Sequence, residues 1–261
     1  MNCRGKVLDF AASNKLGQLG LSFWRHLSDC ACDLLFLEQC RICHLRSPSS
    51  YEQSRNKCKS RSLCQQCWEK LQRSLSPRLD WCEFGTAEAL HVGSGTCYAG
   101  YVKKLLYHLK YDGDRLIARD LACFLVAGWG KIAAHIAGQP VIFVPVPLHR
   151  DRQATRGYNQ TELIACHAAR ELDLSVDAKA LSRVKPTLAQ HGLGRQARVD
   201  NLRGAFACAP IRVEGKVVVL VDDVFTSGAT LSEAARTITA GGARGVLALT
   251  VARAEISVSY K

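Results

Sequence analysis

Two adjacent carboxylates, Asp222 and Asp223, are followed three residues later by hydroxyls set around one glycine, Thr226-Ser227-Gly228-Ala229-Thr230. Carboxylates accept hydrogen bonds from sugar hydroxyls and ligate hard cations, whereas hydroxyls and backbone amides hold phosphate oxygens. The loop runs into Leu231-Ser232-Glu233-Ala234-Ala235, which reads as a helix. The first amides of a helix lack intrahelical partners and carry its positive end. With the hydroxyls of Thr226, Ser227 and Thr230 they form a phosphate cradle, and Gly228 lets the backbone come close to an anion or take a positive φ. Acids just before such a cradle suit a ligand bearing both hydroxyls and phosphate, and a phosphorylated ribose has that layout. A Walker loop requires a lysine after its second glycine, and none stands here. A dinucleotide fingerprint requires three spaced glycines, and an Asp-x-Asp phosphatase an acid where Val224 stands. If the acids only ended a strand and capped a turn, the hydroxyl-rich loop leading into a helix would go unexplained.

A second basic cluster has the makings of an anion site. Leu148-His149-Arg150-Asp151-Arg152 and Arg156-Gly157-Tyr158-Asn159-Gln160 follow an apolar run that closes on Pro145 and Pro147. Guanidinium forks bind phosphates two-pronged, so Arg150, Arg152 and Arg156 suit a pyrophosphate, a solvated basic turn being the alternative. A third set is sulfur. Cys40-x-x-Cys43 is followed after twenty residues by Cys64-x-x-Cys67. Four thiolates so spaced close a tetrahedron around zinc and leave no open position, so the expected role is structural. The stretch between them is polar and basic, which suits a segment that folds only around a metal. Cys58 and His44 remain open as substitute ligands, while Cys30 and Cys32 are too close together to share a knuckle.

The elements that must position these groups are legible in the apolar pattern. Val217 to Val221 is an unbroken apolar run, as expected of a strand buried on both faces of a parallel sheet. Ligands of such sheets bind beyond the carboxyl ends of the strands, where both aspartates fall. Successive strand residues point to opposite faces, so both acids reach one ribose only if the strand breaks between them. Val141 to Pro147 and Gly245 to Ala252 are two further strands, and Thr161 to Leu172 a helix. Trp68, Leu71 and Leu75 lie on one helical face leaving the second knuckle. Gly93 and Gly95 punctuate a small hairpin, Ala87 to Val92 with Thr96 to Tyr101. Val102 to Tyr111 is a basic amphipathic helix, Leu116 to Ala137 a longer apolar one, and Leu16 to Leu37 a weakly periodic one. Residues 181–206 are long, basic and aperiodic, the composition of an active-site lid, with Gly192 and Gly194 as hinges.

Composition narrows the class. A chain of 261 residues holds an α/β domain and a smaller appendage. No run approaches the about 18 apolar residues of a membrane span, and the first residues lack the apolar core of a secretory signal. The expectation is a cytoplasmic protein without membrane insertion, whose thirteen cysteines serve metal and buried thiols rather than disulfides. A net charge of +12 favours a polyphosphate ligand, nucleic acid, or both.

VVVLVDDVFTSGAT resembles the phosphoribosyl-pyrophosphate (PRPP) signature of type I phosphoribosyltransferases, with Ser227 where threonine is commoner. The cysteine knuckles, LKYDGD at Leu109 to Asp114 and VPVPLHRDRQATRGYNQ at Val144 to Gln160 come before it. So do Arg183-x-Lys185-x-Thr187-x-x-Gln190 and Arg198-x-x-Asn201 with Gly204-Ala205-Phe206. In that order these motifs, spanning roughly Cys40 to Arg253, are similar to the ComF family.

The resemblance implies an α/β type I phosphoribosyltransferase fold, a central mostly parallel sheet flanked by helices, behind a zinc-ribbon-like module. The division expected is an extension over 1–35, the zinc module over 36–80 and the transferase-like domain over 81–261. Within the last, a hood spans 81–138 and a core 139–255. The implied ligands are PRPP with Mg2+, and structural Zn2+ on Cys40, Cys43, Cys64 and Cys67. Asp222 and Asp223 would hold the ribose hydroxyls, with metal through water, and Thr226, Ser227, Gly228, Ala229 and Thr230 the 5′-phosphate. Arg150, Arg152, Arg156, Asn159, Gln160 and Arg183 would meet the pyrophosphate, and Lys185 the charge that develops as it leaves. The implied reaction is pentosyl transfer to a nitrogen base, in a protein of DNA uptake and natural transformation. Two alternatives stand beside it. One is a non-catalytic PRPP sensor that binds single-stranded DNA or competence proteins, with Tyr98, Tyr101, Tyr107 and Tyr158 along the strand. The other is a salvage enzyme unrelated to competence.

Overall fold

The computed structural model describes residues 39–45, 60, 62–84, 88–136, 138–185 and 201–254. The expected helix over Leu16 to Leu37, the cysteines at 30, 32 and 58, and Thr187, Gln190, Gly192, Gly194, Arg195 and Arg198 lie outside them.

Helix α1 (Gln65–Arg73) leaves the second cysteine knuckle and buries Cys67, Trp68 and Leu71. Strands β1 (Arg78–Phe84) and β2 (Glu88–Cys97) follow, then α2 (Gly100–Tyr111) and α3 (Ile117–Ile132). Next come β3 (Val141–Pro145), α4 (Arg150–Arg156), α5 (Gln160–Leu172), β4 (Ser175–Val176) and β5 (Leu181–Arg183). The chain ends through β6 (Phe206–Cys208), α6 (Pro210–Val213), β7 (Val217–Phe225), α7 (Ala229–Ala240) and β8 (Gly245–Arg253). Six strands form one sheet in the order β1-β2-β8-β7-β3-β4, and β5 pairs with β6 separately. Every pairing in the large sheet is parallel except β1 on β2. This is the mixed α/β architecture expected of the apolar runs.

The central strand β7 is buried from Val217 to Val221, and its two faces serve two apolar clusters. Val217, Val219 and Val221 pack with residues of α1, α2, α3 and α5. Val218 and Leu220 pack with α7 and with Leu181 and Phe206 of the small sheet. The alternation follows from the two-residue repeat of a strand.

The hairpin differs from expectation. It joins β1 to β2, with Arg78 opposite Ser94 and Phe84 opposite Glu88, and Gly93 and Gly95 lie inside β2. Their role is close packing, not turning. A Cβ on Gly93 would meet the Gly128 carbonyl oxygen of α3 at 2.5 Å, and one on Gly95 the Phe124 carbonyl oxygen at 2.2 Å. The segment Arg150 to Arg156, read as a turn, is the short helix α4. His149 accepts a hydrogen bond from the Asp151 amide at its start, and Gly157 ends it at φ 75°.

Candidate ligand site and metal centre

Four thiols converge at the start of the described chain. The Sγ atoms of Cys40, Cys43, Cys64 and Cys67 all lie within 4.8 Å of one another, and Cys43 and Cys64 are 3.7 Å apart. Zinc–sulfur bonds of about 2.3 Å in a tetrahedron place sulfurs about 3.8 Å apart, so the cluster has the dimensions of a closed four-thiolate site. The geometry is local. His44 N–H returns to the Cys40 carbonyl at 2.9 Å, the Cys40 amide donates to Leu45, and the Arg41 amide donates to Ser62 of the other knuckle. Burial opposes ionisation of Cys40, but hydrogen bonds from the backbone of Cys43, Cys64 and Ile42 outweigh it and bring the thiol down to about 7. Burial and the crowding of its sulfur neighbours raise Cys67. A set of thiols of which one ionises near neutrality is what a soft divalent cation takes up. His44, considered as a substitute ligand, is not among the four.

The knuckles are fastened to the rest of the molecule by polar contacts. Asp120 of α3, 1% exposed, accepts hydrogen bonds from the hydroxyls of Ser60 (2.7 Å) and Ser62. Arg41 Nε lies 2.5 Å from Asp114 Oδ2 at the α2–α3 corner. A cavity of about 580 Å³ opens there, lined by Arg41, His44, His108, Asp112 and Arg115 among others; neither Asp222 nor Asp223 lines it.

The aspartates stand at the carboxyl end of β7, as expected, and the two-residue alternation of the strand is interrupted at them: Val217, Val219 and Val221 pack with one apolar cluster, but so does Val224, while Phe225 packs with the other. Asp222 pairs with Thr250 and Val224 with Ala252 of β8, and the pairing passes over Asp223.

Asp223 is 7% exposed and already served. Lys110 Nζ of α2 lies 2.9 Å from its Oδ2, and Gln160 Nε2 of α5 donates to the same oxygen at 2.8 Å. Arg156 donates in turn to Gln160 Oε1 and lies over the Tyr111 ring. Burial would pull the Lys110 ammonium down, but Asp223 and then Asp222 hold it above its ordinary range.

Asp222 accepts a hydrogen bond from the Asp223 amide at 2.8 Å. Burial and the neighbouring Asp223 carboxylate push it up to about 7 against the pull of that amide, Lys110 and Arg183. Burial and the nearby charge of Arg152 lower Arg183, whose guanidinium lies over the Phe206 ring.

The loop after β7 enters a helix, as expected. Gly228 is in the left-handed region at φ 77° and precedes α7, whose first turn carries no acid. A Cβ there would also meet Cys82 Cβ of β1 at 2.7 Å, so the position is restricted twice over. Ser232 of α7 donates to the Glu83 carbonyl at 2.8 Å, which fixes β1 beside the helix start. Thr226 is exposed, and Ser227 and Thr230 are half-buried.

Other expected ligand residues are placed differently. Arg150 and Arg152 lie exposed on α4. Asn159 is buried and engaged by the backbone: it donates to the Val146 carbonyl and caps α5 by accepting from the Thr161 amide. Lys185 is exposed, with Nζ 3.5 Å from the Arg203 carbonyl oxygen. Of the four tyrosines set along a DNA strand, Tyr158 is buried with its hydroxyl on the Leu109 carbonyl, and Tyr98 and Tyr101 pack partly against the core. Only Tyr107 of the four is well exposed, its ring 4.8 Å from that of Tyr111, which the sequence did not single out.

Lys110 was also missed as a site residue. The signal was available: Leu106, one turn earlier, belongs to the buried face of α2, and position 110 shares that face.

No family model matches the chain. It is 35% identical over 153 residues to competence protein F of Haemophilus influenzae, covering 58% of this chain and 67% of that one. It is 33% identical over 150 residues to the DNA utilization protein YhgH of Escherichia coli, covering 57% and 66%. The chain thus spans about two thirds of the length of these relatives. Among solved structures, adenine phosphoribosyltransferase of Thermoanaerobacter pseudethanolicus is similar over 71% of this chain and 98% of its own, at 13% identity and a TM-score of 0.30.

Proposed function

The chain belongs to the family of competence protein F and the DNA utilization protein YhgH, and from that premise we propose that it binds PRPP with Mg2+ at the carboxyl end of β7 and serves DNA uptake. The observation that carries this reading is the meeting of three features at one sheet edge. The acids Asp222 and Asp223 lie at the end of the buried strand, left-handed Gly228 opens α7, and the cations Lys110 and Arg183 both act on Asp222.

In this reading the start of α7, with Thr226, Ser227 and Thr230, holds the 5′-phosphate through amides and hydroxyls. Arg183 and Arg156 lie near the acids, and with Arg150 and Arg152 they supply guanidinium groups for the pyrophosphate. Lys185 lies in the segment between β5 and β6 and adds positive charge from that side.

The oxygen-only donors of Asp222 and Asp223 fit a hard cation. A buried carboxyl pushed up to about 7 beside a second one is the kind of centre that a cation relieves. Bound there, Mg2+ would neutralise the pyrophosphate. The chain's own part is to position the sugar, to aim positive charge at the leaving group and to keep water from it. Zn2+ on the four cysteines would be structural, since four sulfurs leave no open position.

Isothermal titration of the zinc-loaded protein with PRPP and Mg2+ tests this. Saturable binding that vanishes in Asp222→Asn/Asp223→Asn is expected, and titrations that look alike for the two proteins would overturn it.

A second reading, direct binding of single-stranded DNA, is favoured by one observation. Tyr107 and Tyr111 form an exposed pair on α2, a helix that also carries Lys103 and Lys104 on its exposed side. Exposed rings beside cations stack bases and track phosphates. Binding with a steep salt dependence, unchanged by the double aspartate variant but weakened by Tyr107→Ala/Tyr111→Ala, is its expected signature.

A further inference from the structure

Lys110 is the next-to-last residue of α2, far in sequence from the signature it touches. Its Nζ lies 2.9 Å from Asp223 Oδ2, with the two side chains 20% and 10% exposed. Gln160 donates to that same oxygen at 2.8 Å. A buried ion pair of this kind adds little net stability, because desolvation of both charges offsets their attraction. Such a pair at the ligand edge of a sheet calls for a role beyond cohesion.

The surroundings restrict what can move. The α2 backbone is pinned at Leu109, whose carbonyl accepts the Tyr158 hydroxyl. The corner beyond is pinned at Asp114 by Arg41 of the cysteine knuckle, at 2.5 Å. Arg115 lies over the Tyr158 ring at 4.7 Å, which adds a third fastening. With the backbone fixed on either side, the four-carbon stem of Lys110 is the mobile part, and its ammonium has no rigid geometry to preserve.

A divalent cation and an ammonium cannot share one carboxylate oxygen, since like charges at such a separation repel strongly in a half-buried site. Arg183 acts on Asp222, and Arg156 reaches Asp223 only through Gln160. Among the ion pairs of the described residues, Lys110 is the cation at Asp223, and so the one that a metal there must displace.

We propose that Lys110 is the resident counter-ion of Asp223 and competes with a divalent cation for it. On arrival of a phosphorylated ligand carrying such a cation, the Lys110 ammonium passes from the carboxylate to the ligand's phosphates. This second step rests on the PRPP reading above, and the first does not. Lys110 is thus a binding residue in both states, neutralising an acid when the site is empty of ligand and an anion when it is filled.

The test uses the zinc-loaded full chain, with Mn2+ alone as the first probe, followed by electron paramagnetic resonance. Lys110→Met is expected to bind Mn2+ at least about tenfold more tightly than the unsubstituted protein, and PRPP with Mg2+ at least about tenfold more weakly. Lys110→Arg keeps the charge and should restore PRPP binding. Circular dichroism and zinc content report whether each variant is folded. Should Lys110→Met fail to fold, Lys110→Gln, which removes the charge and keeps a hydrogen-bond donor for Asp223, is read in the same way.

Mn2+ affinity that is unchanged in the variant, or absent from both proteins, overturns the competition. Tighter Mn2+ binding with unchanged PRPP binding retains the competition and overturns the hand-over to phosphate. A protein that binds no PRPP even when unsubstituted overturns the parent reading, while the Mn2+ comparison still decides the role of Lys110.

Discussion

The cysteine cluster and the aspartate corner are both places where like groups crowd together, and they are resolved in opposite ways. At the knuckles, four sulfurs lie within 4.8 Å of one another, and the groups that most affect Cys40 and Cys67 are the other cysteines and the adjoining backbone. At the end of β7, two carboxylates are held by the protein's own groups, Lys110 and Gln160 at Asp223 and the charges of Lys110 and Arg183 at Asp222. A cluster left to converge on itself is built for a permanent ion. One balanced by side chains from other helices is built for something that comes and goes.

The sharpest way to break this contrast is to remove the metal. Stripping zinc with a chelator, or Cys67→Ser, should cost on the order of several kcal/mol, because α1 and the knuckles share an apolar cluster with α2 and α3. Thermal unfolding alongside zinc content measures it, and an unchanged midpoint would deny the cysteines a structural role. Next in size is Gly228→Ala. The left-handed backbone and the Cβ contact 2.7 Å from Cys82 together predict a loss of about 2–4 kcal/mol in urea unfolding. Asp120→Ala should cost about 2 kcal/mol by leaving the buried hydroxyls of Ser60 and Ser62 without their acceptor, and should lower zinc retention. The smallest effect sharpens the ligand side. Thr226→Ala, at an exposed position, should leave stability within about 0.5 kcal/mol while weakening PRPP binding by about three- to tenfold.

How far the sequence could be read follows the same division. All four cysteines come from two short Cys-x-x-Cys pairs, so their spacing alone foretold the cluster. The strand Val217 to Val221 and its helix were legible because burial on both faces leaves an unbroken apolar run. Gly93 and Gly95 misled because the reason for them, the backbone of α3 at Phe124 and Gly128, lies more than twenty-five residues away. Asn159, set at the pyrophosphate by the resemblance, also caps α5 and donates to the Val146 carbonyl, a role that only the fold shows. Lys110 stood inside a motif already singled out, but its partner lies on a strand over a hundred residues on. Local chemistry was visible, and chemistry assembled by packing was not.

The central claim is that the corner after β7 seats a phosphorylated sugar with its metal. The most direct measurement is a titration of PRPP with Mg2+ into the zinc-loaded chain and into Asp222→Asn/Asp223→Asn, both shown to be folded. The account predicts one saturable event per chain in the first and none in the second. No heat in either, or equal heat in both, would contradict it.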